Sequence, residues 1–422
     1  MIKTLDKLNP KSLQCKTSKT ACAVICEYDP FHSGHKYHLQ QARLISKCDY
    51  IVCIMSGSLT QRGSLPIADK YTRAKHALSN GADLVVQLPS VFSCANAQTF
   101  AQGATKIASQ LKFVTHLAYG VEHDNSLDLN QVANLLDNSD FGQIVVKASK
   151  YGVPYPVALQ HAMQEYYPQT SASNCRLKPN AILAVEYIRA TKLYCSHLKT
   201  VPIPRVGDFD SVNLDTPHAS ATAIRQRIES NDLDGIQQYL PYDLNFIQSR
   251  PNNEIYGAIL TAHLKNTPLS NLKKVHSVNE GLEYRLATVA KNYSTLVNII
   301  KYTKSKRFVY TRIKRAILQN YLKVTKELIK KSTQKNTQIP FRVLGVNSQA
   351  TQILGLLPAS AIVKNTDIFF NRPSQHLNVY YLDNAVDPFK EIVDRDVVAD
   401  NLYCTCAGLD KDMYFGTPLI KV

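Results

Sequence analysis

The sequence predicts an α/β protein: a doubly wound, mostly parallel sheet followed by a mainly helical, basic C-terminal region. Three observations carry this. Short apolar runs alternate with longer helical patterns from Ala21 onward, the rhythm of strand–helix–strand crossovers. Cys22 to Cys26 is a continuous apolar run, as expected for a strand covered on both faces. After about residue 235 the rhythm gives way to helical spacing with a surplus of cations.

In order, Cys22 to Cys26 is the first strand, and a loop with Pro, Gly and His leads to a helix through Leu39, Ala42 and Ile45. Ile51 to Met55 is the second strand, closed by Ser56 and Gly57. Lys70 to Ser79 reads as a helix stopped by Asn80-Gly81. Leu84 to Leu88 makes a third strand ended by Pro89, Ala95 to Gln110 a longer helix, and Val114 to Tyr119 a fourth strand running into Gly120. A helix near Asn180 to Thr191, a strand near Val201 and a helix starting at Ser220 continue this Rossmann-like unit. Ligands of such sheets sit beyond the carboxyl ends of the strands, where strand order reverses.

Residues 1–20 hold five lysines and no apolar block, and read as a basic, disordered leader. The catalytic unit is expected over 21–235 and a helical and α+β binding region over 236–422, with Arg250-Pro251-Asn252-Asn253 as a hinge. Phe341 to Val346 and Leu377 to Leu382 read as strands of a small terminal unit. No apolar run approaches the roughly 18 residues of a membrane helix. The ten cysteines lack the spacing of a disulfide framework, which places the protein in the cytoplasm.

Lys and Arg outnumber Asp and Glu by 49 to 33, a formal charge of +16, so polyanionic partners are favoured. Between Lys301 and Lys335 stand twelve cations against the single acid Glu327. Ile313, Ala316, Ile317 and Tyr321 form an apolar stripe there, leaving the cations on the opposite face as a nucleic-acid surface.

The loop after the first strand reads Glu27-Tyr28-Asp29-Pro30-Phe31-His32-Ser33-Gly34-His35. Two histidines three apart at a helix start can face one ligand, and the free N–H groups and positive dipole end suit phosphate. An imidazole donating to the phosphate stabilises charge during in-line attack. His38 extends the spacing to His32-x-x-His35-x-x-His38, but without partnering Cys or carboxylate no metal is expected. His218-Ala219-Ser220-Ala221-Thr222-Ala223-Ile224-Arg225 is a second hydroxyl-rich helix start suited to phosphate. Between them Ser56, Lys70 and Arg73 stand near strand ends as candidate clamps for a nucleotide or a small carboxylate.

Together these segments resemble the bacterial tRNA(Met) cytidine acetate ligases, nucleotidyltransferases with a HIGH-like motif. The resemblance rests on residues 27–35, Met55-Ser56-Gly57, Gln61-Arg62-Gly63, Asp69-Lys70 with Arg73, Gly81 to Val85, Leu88-Pro89, Lys178-Pro179-Asn180, Pro204-Arg205 and Ser220-Ala221-Thr222 with Ile224-Arg225. It continues through Thr311 to Arg315 and Arg342 to Gly345. It implies an ATP-dependent ligase that makes acetyl-adenylate, releases pyrophosphate, and transfers acetyl to the wobble cytidine of elongator tRNA(Met), releasing AMP. ATP, with Mg2+ on its triphosphate, is then expected along Ile25, Cys26, Glu27, Tyr28, Asp29, Pro30, Phe31, His32, Ser33, Gly34, His35, Lys36, Tyr37 and His38. Gly120, Asn180, Arg205 and Val206 would complete its site, with His32 and His35 catalytic. Ser220 and Arg225 would touch the far phosphates, and Arg312, Lys314 and Arg315 the tRNA.

Departures from the family pattern are Asp29 for Asn, a carboxylate that either holds Mg2+ or braces the turn, Tyr71 for Trp, and Ala181 within an Asn-Asn pair. The same phosphate loop also serves adenylyltransferases of small cofactor precursors, and a tRNA-binding protein with a degenerate nucleotide site is the other alternative.

Overall fold

The computed structural model describes residues 19–122, 129–149, 155–166, 179–205, 220–363, 388–410, 413 and 417–422. The leader 1–18, Val206 and the expected strand at Leu377 to Leu382 lie outside the described residues.

Eight strands form one sheet: β1 (Ala21–Cys26), β2 (Tyr50–Ser56), β3 (Leu84–Leu88), β4 (Val114–Val121), β5 (Lys199–Pro204), β6 (Phe341–Val346), β7 (Ala361–Ile362) and β8 (Ile420–Lys421). The order is β5-β4-β1-β2-β3-β6-β7, with β8 beside β6. The first five strands pair in parallel, with Ala21 opposite Tyr50 and Val52 opposite Leu84. Every side chain of β2 and β3 is buried, so both are mostly apolar; the exception inside β3, Gln87, accepts from Lys70. Strand order reverses between β1 and β4, so the crevice above their carboxyl ends is the natural ligand position.

The crossovers are helical: α1 (Ser33–Ser46), α2 (Lys70–Leu78), the single turn α3 (Ser90–Ser93) and α4 (Ala97–Gln110). Asp69 caps α2 by accepting from the Tyr71 and Thr72 N–H groups, and Asn96 caps α4 through the Thr99 N–H. Leu39 and Ala42 of α1 enter the core as the spacing predicts, but Ile45 stays 48% exposed. Between β4 and β5 lie α5 (Leu129–Leu136), α6 (Ser139–Ser149), α7 (Tyr155–Tyr166) and α8 (Pro179–Tyr194), followed after β5 by α9 (Ala221–Glu229). Beyond them, α10 (Asn253–Lys265), α11 (Leu269–Leu272), α12 (Leu282–Asn292), α13 (Leu296–Thr303), α14 (Tyr310–Leu322) and α15 (Lys326–Ser332) make the helical part, and α16 (Phe389–Ala407) returns to it. Helix α10 packs on α12, α13, α14 and α16.

One expectation is corrected here. The change of rhythm near residue 235 does not bound the sheet, because β6 pairs antiparallel with β3, Val85 facing Gly345. Phe341 to Val346 is therefore no strand of a separate terminal unit but part of the main sheet. A single apolar cluster runs from Ala21 through Leu286 and Ile317 to Met413, so both halves share one core. Arg342 of β6 is fully buried and donates to the Tyr71 hydroxyl at 2.9 Å and to the Thr417 carbonyl at 2.8 Å.

Candidate active site

The chain leaves β1 at Cys26 and reaches α1 at His32, which is its N-cap in extended geometry. His32 accepts from the Gly34 N–H at 3.1 Å through Nδ1. Its own backbone N–H donates back to Nδ1 of His35 at 3.3 Å. This reciprocal cap, built from two imidazoles where Ser and Glu usually stand, stacks the rings with centroids 3.7 Å apart at 26°. A Cβ on residue 34 would come within 3.0 Å of the His32 ring, so glycine is required for that closeness. Tyr28 meets both Phe31 and His35 edge-on, bracing the second ring. Burial, then the nearby His32 and Arg205, hold the His35 pKa well below its usual value, so the ring is neutral near pH 7. Neutral imidazoles can donate to a phosphate from one nitrogen while the other stays in the cap.

Asp29 braces this turn. Its Oδ1 accepts from the Ile67 N–H at 2.8 Å, and its Oδ2 lies 3.6 Å from Nη1 of Arg225. Of the two readings of this acid, the structure thus gives it turn-bracing partners. Arg225 also donates to the Asp29 carbonyl and, at 3.1 Å, to the Thr222 hydroxyl. Ser220 caps α9 by accepting from the Ala223 N–H at 3.1 Å. The second helix start is therefore tied directly to the first loop, although 191 residues separate Asp29 from Ser220. Across the crevice, Gly120 is the penultimate residue of β4, and Arg205 follows β5 with its N–H on the Val121 carbonyl at 2.9 Å. Asn180, at the start of α8, donates to Glu122 at 2.8 Å.

These groups border a cleft of about 2180 Å3. Ile25, Cys26, Glu27, Tyr28, Asp29, His32, Gly34, His35, Tyr37, His38, Gly120, Asn180, Arg205, Ser220 and Arg225 all line it. Pro30, Phe31, Ser33 and Lys36 do not: Phe31 is in the core and Lys36 faces solvent.

Three candidates are turned away from the cleft. Lys70 is fully buried, with Nζ 2.5 Å from Oδ2 of Asp400 and 2.8 Å from Oε1 of Gln87. Arg73, also fully buried, donates to the carbonyls of Glu27 (2.7 Å), Ser56 (3.0 Å), Gly57 and Ala68 (3.0 Å). Its fork thus ties the ends of β1 and β2 together. Ser56 donates to Glu27 at 3.3 Å beneath the loop. None of the three is a clamp for a nucleotide or carboxylate, because internal acceptors take their donors. Glu27 is held by the Gln61 N–H at 2.7 Å, and burial raises its pKa.

The basic helix α14 closes the far side. Ile313, Ala316 and Ile317 are buried, as the stripe predicts. Arg312 pairs with Glu280 at 2.9 Å and lies over the Phe308 ring at 5.2 Å. Lys314 is exposed, whereas Arg315 is half-buried, reaches the Gln61 carbonyl at 3.4 Å, and has its pKa lowered by burial to about 10. Gly63, at φ +76°, presses on the Lys314–Arg315 backbone, where a Cβ would meet Arg315 N at 2.8 Å. All three candidate tRNA residues line the same cleft as the histidine pair. So do Arg307, His276 and Glu280, which the sequence reading did not single out. Arg307 stood inside the basic stretch, but nothing local marked His276 or Glu280.

Residues 19–412 match the model of the HIGH nucleotidyl transferase family. A tRNA(Met) cytidine acetate ligase of Halothermothrix orenii is 32% identical over 401 residues, covering 90% of this chain and 93% of that protein. Another, of Thermoanaerobacter sp. (strain X514), is 32% identical over 418 residues, covering 94% and 99%. Among solved structures, Thermotoga maritima TmcAL bound with alpha-thio ATP superposes with a TM-score of 0.82 at 28% identity, over 96% of this chain and 100% of that one. Its apo form gives 0.84 at 29% identity with the same coverage. With a conserved length, a shared fold and the paired histidines at the head of α1, the chain belongs to the tRNA(Met) cytidine acetate ligase family of HIGH nucleotidyl transferases.

Proposed function

We propose that this protein acetylates the exocyclic amine of the wobble cytidine in elongator tRNA(Met), using ATP, with Mg2+ on its triphosphate, to activate acetate. The observation that carries the reading is the single cleft joining the His32–His35 pair to the inner side of basic α14. In the first step an acetate oxygen attacks the α-phosphorus of ATP, giving acetyl-adenylate as the bond to the bridging oxygen breaks and pyrophosphate leaves. The α1 N-terminus and the two imidazoles are suited to stabilise the growing negative charge. In the second step the cytidine amine attacks the acetyl carbonyl, the bond to the adenylate oxygen breaks, AMP leaves, and the amine gives up a proton. Arg312, Lys314 and Arg315 would hold RNA phosphates while the base reaches the cleft. No described helix is long and apolar enough to cross a membrane, and the proposed site of action is the cytoplasm, where ATP and tRNA occur together.

The experiment is incubation with ATP, labelled acetate and bulk bacterial tRNA, followed by nucleoside digestion. ATP-dependent label in N4-acetylcytidine is expected. Pyrophosphate exchange driven by a mononucleotide, with no label in RNA, would transfer the protein to the cofactor adenylyltransferases.

A further inference from the structure

From Tyr284 to Lys326 the chain carries eleven Lys and Arg and no acid. Two tyrosines in this stretch bracket the turn between α13 and α14: Tyr302, the penultimate residue of α13, and Tyr310, the first of α14. Tyr302 is 44% exposed and Tyr310 50%. Exposed rings scattered singly need no explanation. These two share one short segment with four exposed cations, Lys301, Lys304, Lys306 and Arg307.

The segment is held firmly from beneath. Arg285 of α12 donates to the carbonyls of Thr303 at 2.6 Å and Tyr302 at 2.9 Å. Phe308 is buried, and its N–H reaches the Ser305 hydroxyl at 3.1 Å. Tyr293 stacks on Tyr302 with centroids 4.2 Å apart and planes 8° from parallel, which fixes the attitude of that ring. Each exposed ring also has its own ammonium. Nζ of Lys301 is 5.6 Å from the Tyr302 centroid, and Nζ of Lys304 is 5.8 Å from that of Tyr310. The same turn reaches the cleft, since Arg307 and Val309 line it.

Open rings set beside single positive charges suit one chemistry in particular. Unpaired bases stack on aromatic side chains whatever their sequence, while their phosphates are drawn to adjacent cations. A duplex hides its base faces and can use the cations alone. With no acid in the stretch, nothing repels a polyphosphate chain. When one base leaves the stack of a loop to enter the cleft, its neighbours lose a partner, and an aromatic ring can replace it.

We propose that Tyr302 and Tyr310 form a stacking platform for the unpaired loop bases that stay outside the cleft, with Lys301 and Lys304 on their phosphates. The inference rests on the RNA-acetylating function proposed above and adds to it the residues that grip the loop beside the reacting base.

The test is tRNA binding by the full chain and by its Tyr302→Ala, Tyr310→Ala, Tyr302→Phe and Tyr310→Phe variants, with ATP affinity measured alongside. Loss of one base–aromatic stack predicts about tenfold weaker tRNA binding for each Ala variant. The Phe variants keep the ring and should stay within twofold of wild type, and ATP affinity should not move. An unpaired oligonucleotide should compete with tRNA for wild type and lose that ability against the double Ala variant. A duplex of equal length should bind both proteins alike. Lys301→Ser with Lys304→Ser should instead reduce the salt slope of tRNA binding. Ala variants within twofold of wild type, or Phe variants as weak as Ala, overturn the platform and leave the acetylation reading standing. Unchanged tRNA affinity with lost binding to phosphatidylglycerol vesicles would give the face to a membrane and overturn it as well. Wild type that binds no tRNA overturns the proposed function itself.

Discussion

Replacing Lys70 by Met removes one half of a fully buried ion pair. Lys70 and Asp400 are 0% and 1% exposed, their charged atoms 2.5 Å apart. Methionine keeps the length and most of the packing of the lysine stem, so the loss is that of the charge and its donors. Asp400 would then keep only the Ser58 hydroxyl, which donates to its other oxygen at 2.5 Å, and Gln87 would lose the donor to its carbonyl. Breaking a buried pair from one side costs about 3–5 kcal/mol, on the order of a thousandfold in the folded-to-unfolded ratio. The second substitution K70M/D400N removes the stranded charge while keeping an acceptor for Ser58, and should recover most of that loss. Urea unfolding gives the stability, and ATP and acetate titrations at low denaturant give the affinity. The expected outcome is a large stability loss with ligand affinities within about twofold. Normal stability with tenfold weaker ATP or acetate would refute the reasoning and return Lys70 to the binding site.

Three further outcomes follow from the same structure. Asp396 on α16 accepts from the Ser90 N–H at 2.6 Å, and burial raises its pKa from 3.8 to about 7. The folded state then holds its proton more tightly than the unfolded chain, so this group makes stability fall as pH rises from about 4 to about 7; in Asp396→Asn, denaturation midpoints across that range should lose this slope. His35→Ala should lower the acetylation rate by about 100- to 1000-fold while tRNA affinity stays within a few-fold, measured by single-turnover kinetics and filter binding; parallel collapse of both would make the pair structural. Lys314→Glu, at an exposed position, should weaken tRNA binding and reduce its salt slope, and an unchanged slope would remove Lys314 from the interface.

The sheet was legible where the chain's own neighbours decide the structure. β2 is buried along its whole length and β1 along most of it, and burial of that kind leaves a nearly continuous apolar signature. The His32–His35 loop was legible because a strand end, a helix start and a glycine occur within ten residues. Lys70 and Arg73 were misread for the opposite reason. A cation near a strand end looks like a ligand contact, and only Asp400, some 330 residues later, and the main-chain carbonyls around Arg73 show otherwise. The place of β6 was equally hidden, since its partner β3 lies far upstream and antiparallel pairing leaves no local mark. Nothing local to Arg342 inside that strand marks its partners, the Tyr71 hydroxyl and the Thr417 carbonyl.

The pairing of β6 with β3 also sets a timetable for synthesis. β3 ends at Leu88, and the strand that covers its edge is complete only at Val346. At about 5–20 residues per second a ribosome takes roughly 13–50 s to add the intervening chain. Throughout that interval the sequence Leu-Val-Val-Gln-Leu presents an open, apolar edge, the kind of template that recruits strands from other molecules. The nascent protein thus carries an aggregation hazard that the finished one lacks. A chaperone that shields strand edges should matter more to its yield than to its stability.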